Sequence, residues 1–154
     1  MTAQRPAGRL LRRCTVAILS ATPLASPVAT AQGLKADGLT IRATGFSHAR
    51  GHAIAKIFVP GDNVRGPARW QISASIQNRA AAFHLPGLPP GTYAAVVFHD
   101  ENNNGILDHG LIGPLEPIGF SGGFVLNLTS GMPTFERLKF EFSPPAQTLE
   151  VRVR

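Results

Sequence analysis

Apolar and polar positions alternate along much of the chain beyond residue 37, with a period of two. In residues 39–44, Leu39, Ile41 and Ala43 fall on one side and Thr40, Arg42 and Thr44 on the other. A strand sends successive side chains to opposite faces, so this pattern predicts a strand with one face buried. Residues 53–59 are strand-like as well and stop at Pro60-Gly61-Asp62-Asn63, a turn signal. Residues 79–85 alternate through Ala81, Phe83 and Leu85, and residues 138–142 and 149–153 alternate cleanly. Residues 93–98 are almost continuously apolar, which predicts a central strand. Weaker patterns at 70–75 and 124–128 would add one or two more.

Helical periodicity is nearly absent. The 16 glycines and 13 prolines interrupt any 3.6-residue repeat before it reaches three turns. Short strands separated by turn residues predict an all-β chain, an antiparallel β-sandwich of about seven strands. Before the central strand, Pro86-Gly87-Leu88-Pro89-Pro90-Gly91-Thr92 predicts a rigid turn feeding Tyr93 into the sheet. The Tyr93 ring is then expected to be buried, with its hydroxyl satisfying a backbone group at the corner. Trp70, the single tryptophan, is read as packing rather than as a sugar-stacking platform.

The first segment does not belong to this pattern. Arg5, Arg9, Arg12 and Arg13 precede an apolar run from Cys14 to Leu24, and Ala29-Thr30-Ala31 offers small residues before Gln32. That order predicts a signal peptide over residues 1–31, a periplasmic or secreted protein, and one domain over residues 32–154. The apolar run is too short for a spanning helix, which needs about 20 apolar residues, and Pro23 and Pro27 interrupt it. Cys14, the only cysteine, would leave with the leader.

Charge changes with this boundary. The formal net charge is +6, but four of the fifteen basic residues lie in the leader, leaving eleven against nine acids. The remaining cations are dispersed, with no basic run interleaved with aromatics, so nucleic acid is not an expected partner. No second apolar stretch is long enough to span a membrane.

One segment carries chemistry. Asp100, Asn102 and Asn104 place side-chain oxygens at alternate positions, Gly105 permits a sharp turn, and Asp108 adds a carboxylate. Ile106 would contribute its backbone carbonyl. This is the first half of the calcium-loop pattern D-x-[DN]-x-[DN]-G, which gathers oxygens around a hard cation. The twelfth loop position is Leu111, so the usual bidentate Glu is missing, and Glu116 is the candidate to replace it. With few carboxylates, binding is expected to be weak and structural, with a Kd on the order of 10⁻⁴–10⁻³ M. The metal-free alternative is a loop of Asx-turns. His48, His52, His84, His99 and His109 are scattered; His99 and His109 flank the loop, but zinc needs three or four converging ligands. No G-x-S-x-G nucleophile motif occurs, and no catalytic residue or organic cofactor is expected.

The chain resembles the exported bacterial family known as domain of unknown function 2141. The resemblance rests on Leu88-Pro89-Pro90-Gly91-Thr92-Tyr93, on the run Phe98-His99-Asp100-Glu101-Asn102-Asn103-Asn104-Gly105-Ile106-Leu107-Asp108, on Glu116-Pro117-Ile118-Gly119-Phe120-Ser121 and on Gly131-Met132-Pro133-Thr134-Phe135. It implies a prealbumin-like or carboxypeptidase-regulatory sandwich, within the immunoglobulin-like and transthyretin-like class, and an exported location, but no activity. The resulting expectation is a non-catalytic module binding an unidentified protein or glycan, with a calcium-stabilised loop. Its ligand surface is expected around Phe120, Ser121 and Phe124, in the long turn-rich stretch 109–134. A carbohydrate-binding module or a transthyretin-like hydrolase are the alternatives.

Overall fold

The computed structural model describes residues 37–154; the expected leader 1–31 lies outside the described residues. The alternating segments form strands: β1 (Gly38–Thr44), β2 (His52–Phe58), β3 (Trp70–Ala74), β4 (Ala80–Leu85), β5 (Gly91–Asp100), β6 (Ile118–Phe120), β7 (Lys139–Phe142) and β8 (Ala146–Arg152). A single turn of helix, α1 (Phe135–Leu138), precedes β7. One sheet has the order β4-β1-β8 and the other β3-β2-β5-β6, with β7 also paired to β5.

Alternation becomes burial in the core. Leu39, Ile41 and Ala43 of β1, with Phe83 and Leu85 of β4 and Val151 of β8, pack against Ala55 and Ile57 of β2 and Tyr93, Ala95 and Val97 of β5. A fully buried side chain of the Leu or Phe type contributes about 1.5–3 kcal/mol, so this double layer holds the sheets together. The apolar run of β5 has a separate cause. Its other face, through Ala94 and Val96, joins Phe58, Val64, Phe120 and Leu138 in a second apolar cluster outside the sheet. Both faces of β5 are thus covered, and the strand is central, bonded to β2 on one side and to β6 and β7 on the other.

Two expectations are corrected. The sandwich is mixed rather than wholly antiparallel, because β8 lies parallel to β1, with Ile41 opposite Leu149. Alternation assigns faces, not directions. The chain leaves β7 in one sheet and crosses to the other, where β8 runs alongside β1. Residues 124–128 are not a strand. Ser121–Gly123 forms a tight helical turn in which Gly122 and Gly123 take φ of +67° and +70°, and the chain leaves the sheet after Phe120. Phe124 and Leu126 then pack onto the outer cluster instead of pairing.

The turn before β5 is as expected. Tyr93 is buried and donates its hydroxyl to the Pro89 carbonyl at 2.9 Å. Trp70 meets the Tyr93 ring edge-on, with centroids 6.0 Å apart. Among the described residues no helix is long and apolar enough to cross a membrane.

Candidate functional site

Strand β5 delivers the chemistry. It ends at Asp100, whose side chain is almost fully buried and accepts the backbone N–H groups of Asn104 at 3.1 Å and Gly105 at 2.8 Å. Such turns form because a short side-chain carboxylate can replace a backbone acceptor two to five residues away. Asn102 Oδ1 accepts the Asn104 N–H at 3.0 Å, and Asn104 Oδ1 accepts the Ile106 N–H at 2.8 Å. Asn103 and Gly105 turn the chain with φ of +61° and +77°.

The side chains converge on Asp108. Its carboxylate accepts the amide of Asn102 at 2.7 Å and that of Asn104 at 3.1 Å. Asp100, Asn102, Asn104 and Asp108 therefore belong to one hydrogen-bonded cluster. The oxygens are of the type a hard cation prefers, but the atoms that meet Asp108 are the amide nitrogens of Asn102 and Asn104, while their Oδ1 atoms face backbone N–H groups, so ligation would require both amides to turn over. Ile106 contributes its N–H to the loop while its side chain is exposed.

Glu116 approaches from the strand β6 side and is buried. One carboxylate oxygen accepts the Glu101 N–H at 2.9 Å and the other the Asp108 N–H at 3.2 Å. In this arrangement it clamps the loop's two ends. His99 and His109 have different partners: His99 is buried and bonded to the Arg50 carbonyl, whereas His109 is exposed and bonded to the Leu107 carbonyl.

Beside the loop runs a groove of about 900 Å³. Its floor is the outer face of the second sheet, through Val96, Phe98, Ile118 and Phe120, and its walls are the chain segments around Ile112 and Leu128. Phe120 and Phe124 line it with rings edge to face at 5.2 Å. Ser121, expected beside them, is buried and does not line the groove. Its buried hydroxyl accepts the Ala95 N–H at 2.8 Å and donates to the Leu138 carbonyl, so it ties the outer layer to β5.

Sequence reading missed the groove's charge. Lys56 of β2, Arg65 of the β2–β3 connection, and Arg152 and Arg154 of the C-terminal segment line it, and none is in an ion pair among the described residues. The Lys56 ammonium lies 5.4 Å from the centroid of the Phe98 ring, and burial pushes its pKa below 10.5. Its position opposite Val96 in the β2–β5 register places it on the outer face, a relation that strand alternation alone does not reveal. Apolar side chains stand out at the rim: Ile112, Leu128 and Met132 are all strongly exposed.

The bacterial family described as "Uncharacterized protein conserved in bacteria (DUF2141)" matches residues 41–150. The chain belongs to this family. The span matched to DUF2141 takes in the whole 100–108 loop, Glu116, Lys56 and Arg65, while Arg152 and Arg154 lie beyond it. No curated protein and no solved structure matches the chain.

Proposed function

We propose that this chain is an exported, non-catalytic binding module whose ligand is a long-chain anionic amphiphile, and whose loop at the end of β5 is stabilised by weakly bound calcium. The observation that carries the reading is Lys56. A lysine ammonium held over an apolar floor, without an acidic partner, loses solvation and gains from a ligand that brings one negative charge and an apolar tail. Arg65, Arg152 and Arg154 extend the same sign of potential around the groove. The volume falls within the range of pockets that enclose small molecules, about 300–1,000 Å³. The exposed apolar rim is the kind of surface that marks an interaction site.

Export is supported by the basic and apolar order of residues 5–31, which has the form of a leader. Calcium is supported by the clustering of Asp100, Asn102, Asn104 and Asp108, with Glu116 bracing the loop. Two packed sheets with a Tyr at the corner of a central strand support a prealbumin-like classification within the immunoglobulin-like and transthyretin-like sandwiches.

The test is titration with a fluorescent long-chain fatty acid. Saturable one-to-one binding is expected, weakened about tenfold by Lys56→Met, the equivalent of ~1.4 kcal/mol. The matching long-chain alcohol should bind more weakly than the acid. Equal affinity for acid and alcohol, or no saturable binding of either, overturns the proposal.

A further inference from the structure

Alternation past the end of β5 divides two sets of ligands. Asp100, Asn102 and Asn104 turn into the oxygen-rich loop, whereas His99 and Glu101 gather with His48 from the connection between β1 and β2. The ligand-type atoms of these three side chains all lie within 4.8 Å of one another. Glu101 Oε1 is 3.4 Å from His48 Nε2 and 3.7 Å from His99 Nδ1.

His99 is the decisive member. It is fully buried, packed edge-on against Phe46, and its Nε2 lies 2.7 Å from the Arg50 carbonyl. A carbonyl only accepts, so Nε2 carries the proton and neutral His99 presents a bare lone pair at Nδ1. That Nδ1 is buried with no hydrogen-bond partner. Burying an acceptor without a partner is costly, commonly about 1–3 kcal/mol. This Nδ1 lies 3.7 Å from Glu101 Oε1, on a ring whose centroid is 4.7 Å from that of His48. Bonding of the second imidazole nitrogen to a backbone carbonyl is also the arrangement that fixes the ring of a metal-bound histidine.

We propose that His48, His99 and Glu101 form a three-ligand site for a divalent transition metal, zinc(II) by donor type. Zinc–nitrogen bonds of about 2.0–2.1 Å in a tetrahedron put neighbouring ligand atoms ~3.3 Å apart, close to the two separations involving Glu101. Two imidazoles and a carboxylate leave a fourth position for water or an exogenous ligand. The site is separate from the loop proposed for calcium: its nitrogens favour a borderline metal, whereas calcium takes oxygens. Arg50 approaches the other Glu101 oxygen at 3.5 Å but is largely exposed, so it can remain as an outer partner to the ligating carboxylate.

Isothermal titration of the protein with zinc(II) alone, in buffer containing millimolar calcium, tests the site. The expected result is uptake of one equivalent, weakened about tenfold or more by His48→Ala and by Glu101→Gln. His48 is partly exposed on a connecting segment, and Glu101→Gln preserves shape, so neither depends on tolerating a hole in the core. Cobalt(II) substituted for zinc should give the visible absorption of a low-coordinate nitrogen and oxygen site, and His48→Ala should abolish it. Absence of zinc uptake by the parent, as for a simple protonated His48–Glu101 ion pair, overturns the proposal. So does equal uptake by the parent and both variants.

Discussion

One oxygen of the Glu116 carboxylate accepts the backbone N–H of Asp108, while its other oxygen accepts that of Glu101, closing the loop at both ends. Because Glu116 is buried, its removal strands two N–H donors. Glu116→Ala should therefore destabilise the protein by about 2–4 kcal/mol, on the basis of 1–3 kcal/mol for each unsatisfied buried group with partial relief by water. Urea denaturation monitored by fluorescence measures this directly. A change below about 0.5 kcal/mol, typical of a plain surface substitution, would sink the clamp interpretation.

Calcium should raise the melting temperature. A native-state ligand at ten times its Kd stabilises by about 1.4 kcal/mol. The midpoint in millimolar calcium should exceed that in chelator by several degrees, and Asp108→Asn should remove most of the difference. Identical midpoints for the parent in the two buffers would exclude a native-state calcium site.

Lys56 gives a pH signature. Burial lowers its folded-state pKa, so the unfolded chain binds this proton more tightly than the folded one. Its destabilising effect is fully present below the folded pKa and disappears as pH rises toward 10.5. Lys56→Met should thus be more stable than the parent at neutral pH, with the advantage shrinking on approach to pH 10.5. Thermal melts across that window provide the measurement, and a pH-independent advantage would contradict the mechanism.

Gly51 faces a strict steric limit. With φ at +78°, a Cβ there would lie 2.1 Å from the Asp100 carbonyl oxygen, at the end of the β2–β5 pair. Gly51→Ala should cost at least about 1–3 kcal/mol and weaken calcium binding through displacement of Asp100. Chemical denaturation and calcium titration of the same variant would reveal both effects.

The sequence made some features plain and left others out of reach for identifiable reasons. Residues 39–44 and 79–85 were legible because each has one buried and one open face. The loop was legible because Asp100, Asn102, Asn104 and Asp108 make local contacts, so their spacing carries the geometry. β6, only three residues long, lacks enough length to show a period, and Phe124–Leu126 imitates a strand while packing as an irregular cover. The direction of β8 depends on a sheet change that no local pattern records. The groove's cations and the His48–His99 approach arise from distant segments, and spacing along the chain says nothing about such meetings.

Strand β5 belongs to both apolar layers: Tyr93, Ala95 and Val97 look inward and Ala94 and Val96 outward. Neither the cover over the groove nor the paired sheets can come apart without disturbing the other. Loss of structure is therefore expected as a single event, and occupancy by either cation or by an acyl chain would be transmitted to the whole molecule. A melting curve from any one spectroscopic probe thus becomes a test of all three proposed sites at once.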